Sequence, residues 1–527
     1  MHYQSLQFIL FAGVVLLVYY RVKPARQAHV LLLANLIFYA LSGVEYLPFI
    51  AATAVCTFWT GRRIGRIYRE TDAQIGQCGD PAQKKQLRAQ SKARVRRALV
   101  PGMAVTIGLL CVCKYALFVS ENVNVLLSVL NIPRIPTFRM ILPLGISFYS
   151  FMALSYVLDV YWKRYEAEER FLAYATYLSY FPHVVQGPID RFNEFKAQLA
   201  GGVTFCARNL TFGAQLALWG FFKKLVIADR LALFVDTAFS HFSEYSGPVL
   251  VAAVALYSIQ IYADFSGCID IVTGVSEMFG IHLRKNFNHP YFSRTMGEFW
   301  RRWHISLQEW FKDYVYFPVS ASNLMRRAKK RFRERGMKRA SELFAACFPI
   351  LVVWMITGLW HGAAWKYVAW GLFHAILLIG SKVLEPAFAA VNRRLRINAD
   401  CRLWRLWQML RTFFLCCVGR IFFRAADLKT ALAMIPRMLH LKTTLRALVN
   451  PPMPYGMSGG DILVAAAAIL VLLIVDVVQE RTCIRKSLEK RNIVLRWGLI
   501  YACLFVVLFF GIYGPGYGAS GFIYEQF

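Results

Sequence analysis

Apolar residues run along this chain in long blocks separated by short polar or basic stretches. Blocks of 18 or more apolar residues are long enough to cross the hydrocarbon of a bilayer as helices. Apolar spans, most of them of that length, are predicted near 6–20, 28–42, 45–60, 98–119, 140–161, 209–238, 248–275, 342–360, 363–382, 405–424, 461–479 and 496–513. Segments 168–187 and 297–318 are also apolar but contain Pro182, His183, Pro188, Arg301, Arg302 and Asp313. They read as re-entrant or broken helices, which lipid tolerates only where they pack in protein or line water. The expected architecture is all-α and polytopic, about a dozen transmembrane or re-entrant helices in a single domain over 1–527, with a basic cytoplasmic loop near 61–97.

Composition agrees with the pattern. Of 527 residues, 57% are hydrophobic and only 17% charged, where a soluble domain carries roughly a quarter charged residues. The net charge of +31 is concentrated between apolar blocks, as in Lys84-Lys85, Arg96-Arg97, Arg326-Arg327 and Lys329-Lys330-Arg331. Basic loops stay on the cytoplasmic side, so this charge describes orientation, with some residues available to anionic lipid or a phosphorylated donor, rather than a nucleic-acid site. An external N-terminus places loops 61–97, 281–341, 383–404 and 480–495 in the cytoplasm; only loop 425–460, with Lys429, Arg437, Lys442 and Arg446, dissents. Stretch 83–97 reads as a basic helix lying on the membrane surface. The 12 cysteines show neither metal-ligand spacing nor a disulfide framework, no metal or resident cofactor is expected, and residues 1–7 lack the basic region of a secretory leader.

Chemistry is suggested by two histidines. His304 closes the run Glu298-Phe-Trp-Arg-Arg-Trp-His304, and His361 lies in Trp360-His361-Gly362 between two apolar spans. An ionisable residue at bilayer depth marks a functional site by default, and histidine suits proton transfer near neutral pH. Asp264 and Asp270 are charged residues in an apolar span and need partners, with Arg294 or a histidine as candidates. His183, His289 and His374 read as capping or packing residues, and the tryptophans near 300–310 and 354–370 as packing and interface anchors.

Several ordered motifs carry a resemblance. These are Leu142-Pro-Leu-Gly-Ile-Ser-Phe-Tyr149, Ser155-Tyr-Val-Leu-Asp159, Tyr180-Phe-Pro-His-Val-Val-Gln-Gly-Pro188, Tyr262-Ala-Asp-Phe-Ser-Gly267 and Asn286-Phe-Asn-His-Pro-Tyr291. The Glu298–Leu307 run, Trp310-Phe-Lys-Asp-Tyr314, Thr357-Gly-Leu-Trp-His-Gly362 and Trp370-Gly-Leu-Phe-His374 continue the series. Together they resemble the membrane-bound O-acyltransferase family. Phe422-Phe-Arg424 and the closing Gly521-Phe-Ile-Tyr-Glu-Gln-Phe527 are similar to its bacterial branch containing the alginate O-acetyltransferase membrane subunit. Two departures stand out: Ser320-Ala-Ser-Asn323 replaces a Gly-Gly-Asn-Arg turn, and Glu525 occupies a place where an aromatic is common.

The resemblance implies helices around a central funnel, His361 as catalytic histidine and His304 as the second family histidine. His304 would polarise the thioester, hold the donor or orient His361. Acyl transfer to a hydroxyl needs a base for the hydroxyl proton, and burial keeps a histidine neutral and able to accept it. The implied activity moves an acyl group, acetyl above all, from a cytoplasmic thioester such as acetyl-CoA towards an extracytoplasmic glycopolymer. The implied setting is a bacterial plasma or inner membrane, with membrane lipid and a secreted or membrane-tethered acyltransferase as partners. Two alternatives stay open: D-alanyl transfer to teichoic acid, and a transporter or flippase.

Overall fold

In lipid every backbone N–H and C=O must be satisfied within the protein, which leaves helices as the natural spanning element. The computed structural model describes residues 1–138, 140–398, 401–440, 454–513 and 521–522, and among them no strand forms. They fall into two compact units, Met1–Ala214 with Val272–Arg284 and Gln215–Ile271 with Lys285–Phe527.

The first unit is built on α1 (Leu6–Arg21), α2 (Gln27–Ser42), α3 (Leu47–Gln77), α4 (Pro81–Val129), α5 (Ile146–Tyr161), α6 (Phe171–Ser179) and α7 (Phe192–Leu199). An aromatic core fills it: Tyr156 and Tyr174 lie 4.4 Å apart between ring centroids, and Phe192 meets Tyr156 edge-on at 5.2 Å. Gly145, in a left-handed turn with φ +71°, opens α5, and a Cβ there would lie 2.2 Å from the Val184 carbonyl oxygen. The glycine of the Leu142–Tyr149 motif is thus required by both its conformation and a close approach to the Tyr180–Pro188 segment.

The expectations for stretch 61–97 and for span 140–161 are corrected by the structure. The basic stretch 61–97 is helical except for a turn at 78–80, and 83–97 is the start of the 49-residue α4 rather than a separate surface helix. At about 1.5 Å per residue α4 is more than twice as long as the roughly 30 Å hydrocarbon core. The turn sets it up: Asp80 accepts hydrogen bonds from the N–H groups of Ala82 and Gln83, with Pro81 at the first helical position. Ser91, Val95 and Ala98 are buried, so α4 packs from its basic end onward. Span 140–161 begins only at Ile146, because Pro143 and left-handed Gly145 hold the chain out of the helix. Segment 168–187, expected broken, is α6 followed by turns.

The second unit includes α8 (Ala207–Phe221, shared with the first), α9 (Asp229–Ser240) and α10 (Gly247–Met278, also shared). The short helices α11 (Met296–Arg302), α12 (Ile305–Phe311) and α13 (Phe317–Ser320) realise the broken segment expected at 297–318. Beyond them come α14 (Asn323–Glu334), α15 (Lys338–His361), α16 (Trp365–Val383), α17 (Glu385–Arg394), α18 (Arg402–Arg424) and α19 (Leu428–Leu439). Last are α20 (Gly459–Gln479), α21 (Ile484–Glu489) and α22 (Ile493–Phe510). Between α8 and α9 the chain makes a π-helical stretch, Phe222–Ala228. The dissenting loop 425–460 contains α19, while its Lys442 and Arg446 lie outside the described residues, as do most of the closing 514–527 motifs.

Six helices among the described residues are long and apolar enough to cross a membrane, and up to eight if two bent pairs each count as one span. This is a multi-pass membrane protein. Burial separates the helices by position: 72% of the most apolar window of α10 is buried, against 6% for α22. Lipid provides no hydrophobic drive between helices, so close packing relies on small residues. At the α15–α16 hairpin a Cβ on Gly358 would stand 2.4 Å from the Tyr367 carbonyl oxygen, and one on Gly371 2.4 Å from that of Trp354. Gly358→Val should therefore force the hairpin apart at a cost of about 1–3 kcal/mol. Thermal unfolding of the detergent-purified protein measures this, and an unchanged midpoint would contradict it.

Candidate active site

The second unit holds both expected histidines. His304 occupies the break between α11 and α12 with φ +48°, a left-handed conformation uncommon outside glycine. The break is held by the segment before α11. Phe287 and Trp303 form an antiparallel bridge, the Asn288 N–H donates to the Arg302 carbonyl at 2.9 Å, and the Ile305 N–H to the Asn286 carbonyl at 3.0 Å. Asn286, itself buried, completes the clamp. Its Oδ1 accepts from the Ser306 N–H at 3.1 Å and the Ser306 hydroxyl at 2.9 Å, and faces His304 Nδ1 at 3.2 Å. A backbone N–H can only donate, so the atom facing Ser306 is the amide oxygen. His304 Nδ1 must then carry the proton donated to it, which leaves Nε2 as the basic nitrogen. His304 lies outside the spanning helices, and burial pushes its pKa down to about 3, so the neutral ring persists at physiological pH.

His361 ends α15 and is buried against the edges and faces of aromatic rings: Trp370 at 4.8 Å, Trp360 at 4.9 Å and Phe423 at 5.3 Å between centroids. Gly362 follows because a Cβ at that position would fall 2.2 Å from the Tyr367 ring. Trp360 also meets His304, at 6.0 Å, and Phe265 of the Tyr262–Gly267 motif packs edge-on against His304 at 4.8 Å. Residues far apart in sequence thus bring His304 and His361 to one buried indole. Above Trp303 lies the guanidinium of buried Arg420, 4.5 Å from the ring centroid.

The remaining polar residues sort by their contacts. His374 is buried among Trp300, Trp354 and Trp370. His183 is hydrogen-bonded to Asp190 and the Tyr177 carbonyl, and His289 faces Asp476 at 3.1 Å. Arg302 makes ion pairs with Glu298 and Glu480. Asp264 and Asp270 of α10 are paired with lysines, where Arg294 or a histidine was the candidate partner. Lys224 meets Asp264 at 2.8 Å and Asp229 at 2.9 Å, while Lys223 meets Asp270 at 2.7 Å and the Ser266 hydroxyl at 2.8 Å. The π-helical stretch presents these adjacent lysines together to α10, next to Gly220 and Gly267, where the backbones approach too closely for a Cβ. Two consecutive lysines inside an apolar span were the sequence signal for this pairing. Among the described residues no group of three or more potential ligands could hold a metal ion.

Residues 168–337 match the membrane-bound O-acyltransferase family. The probable alginate O-acetylase of Azotobacter vinelandii is 32% identical over 80% of this chain and 74% of its own length. The chain belongs to the membrane-bound O-acyltransferase family. The peptidoglycan O-acetyltransferase of Helicobacter pylori is 29% identical over 82% of this chain and 77% of its own. The teichoic acid D-alanyltransferase of Bacillus subtilis is 27% identical over 54% of this chain and 70% of its own. The protein is a membrane O-acyltransferase, and the transporter alternative falls with that membership.

The buried lysine–aspartate pairs generate a stability prediction. Lys224→Met removes an ammonium from between two carboxylates and should cost about 3–5 kcal/mol, seen as lost monodisperse protein on size exclusion. Lys224→Met with Asp264→Asn should recover part of that loss. A single variant as stable as the parent would show that the pair is dispensable.

Proposed function

We propose that the protein transfers acetyl groups from a cytoplasmic thioester, acetyl-CoA being the simplest, towards a polysaccharide outside a bacterial plasma or inner membrane. The observation that carries this reading is the meeting of His361 and His304 at Trp360 in a chain of this family. His361 acts as the base: it takes the acceptor hydroxyl proton as the oxygen attacks the thioester carbonyl. The C–S bond then breaks, and the departing thiolate recovers that proton from the imidazolium. His304, fixed in one tautomer by Asn286, orients or holds the donor. Exclusion of water by the surrounding tryptophans and phenylalanines protects the thioester from hydrolysis and strengthens polar contacts made in the site.

The breadth of similarity to O-acetyltransferases supports acetyl over D-alanyl as the group moved. The charge pattern supports donor entry from the basic, cytoplasmic side. Delivery to the polymer by a secreted or membrane-tethered acyltransferase fits a membrane protein whose acceptor lies outside the cell.

His361→Ala should reduce acyl transfer by about 10²-fold or more, in line with the worth of a positioned base. The readout is acetate released by mild alkali from isolated envelope polysaccharide and peptidoglycan, normalised to the amount of the protein in membranes. Near-parental acetate at a normal protein level would remove His361 from the chemistry.

A further inference from the structure

The extended ends of α3 and α4 enclose, with the turn after α5, a half-open cavity of about 660 Å³. That volume lies within the roughly 300–1,000 Å³ typical of small-molecule sites. All of it belongs to the first unit, and none of it involves the histidines. Tyr68, Thr71 and Ile75 line one wall at helical spacing on α3, with Arg88, Ser91, Lys92 and Val95 opposite on α4. Thr71 donates to the Ser91 hydroxyl at 3.0 Å, both residues being buried, and this closes the floor.

The third wall is Tyr161-Trp162-Lys163. Lys163 has a left-handed backbone with φ +56°, a conformation whose cost marks sites that surrounding structure over-determines. Its ammonium lies 4.3 Å from the Tyr68 ring centroid and pairs with Asp72 at 3.0 Å. This neutralises one cation of the cavity with its one carboxylate. Arg88 and Lys92 are left one helical turn apart, and neither has an ion pair or hydrogen bond among the described residues. Like charges at this spacing repel, so the pair is favoured when an anion lies between them and the cavity. A second pocket shares Lys92 and continues to Arg96 and Arg97, extending the cationic wall.

We propose that this cavity is a binding site for a phosphate-bearing ligand, with Arg88 and Lys92 receiving the phosphate and Tyr68 and Trp162 the apolar portion. Arginine and lysine are the usual receivers of phosphate oxygens, and the aromatic rings offer flat surfaces beside them. Two sources supply such chemistry: a soluble phosphorylated molecule of nucleotide size, and an anionic lipid headgroup.

The test uses the full-length protein and its Arg88→Gln/Lys92→Gln variant. Both residues are solvent-exposed, so the variant should keep the parental elution volume and thermal midpoint. In one arm, coenzyme A is titrated against protein in nanodiscs of phosphatidylcholine alone. In the other, phosphatidylglycerol retained from mixed nanodiscs is counted by native mass spectrometry. A loss of about tenfold or more in the variant is expected in one arm: the first identifies a soluble ligand, the second a headgroup. Equal binding by parent and variant in both arms, or no binding by the parent in either, would overturn the proposal.

Discussion

A chain that leaves the helix inside a membrane protein must find its hydrogen bonds within the protein, and the site depends on how this is done at residues 303–305. The bridge between Phe287 and Trp303, with the reciprocal bonds of Asn286 and Asn288, satisfies the interrupted backbone. The same contacts hold His304 left-handed and present one nitrogen to Asn286. Without that clamp, two seven-residue helices would have no fixed relation. With it, an exposed-backbone liability becomes a rigid mount for an imidazole.

A parallel constraint acts on charge. Asp264 and Asp270 can remain in the well-buried α10 because Lys223 and Lys224 are delivered to them by a π-helical stretch. Insertions of this type cost regular hydrogen bonding and recur where function needs a re-aimed side chain. Here two neighbouring lysines, which a regular helix would aim about 100° apart, both face carboxylates on one partner helix. The pairing ties α8 and α9 to the motif that also supplies Phe265, the ring packed against His304. The structural charge pairs and the ring packed against His304 therefore share a single stretch of α10.

Much of this was legible in the sequence, and the exceptions have physical causes. Apolar length placed spans such as 28–42, 248–275 and 461–479 within a few residues, because a helix crossing the hydrocarbon must stay apolar over that thickness. Tryptophan-flanked histidines in apolar surroundings singled out His304 and His361. The fusion of 83–97 with the following span was not readable, because a basic face suits a membrane-surface helix and an extended one equally; packing against the rest of the unit decides between them. Nor could the sequence tell that Asn286 sets a tautomer, since that rests on three-dimensional contacts across eighteen residues. The partners of Asp264 were missed because adjacent lysines diverge in a regular helix, and only the π-helical stretch brings both to α10.

With His361 proposed as the base and His304 as a group that serves the donor, binding and turnover must separate. The most direct measurement takes purified protein and follows, in parallel, binding of a non-hydrolysable acetyl-CoA analogue and thiol release from acetyl-CoA with a soluble oligosaccharide acceptor. His361→Ala should bind the analogue as the parent does while thiol release falls by about 10²-fold or more, and His304→Ala should weaken binding. Parental thiol release from His361→Ala, or parental binding and release from His304→Ala, would contradict the division of roles.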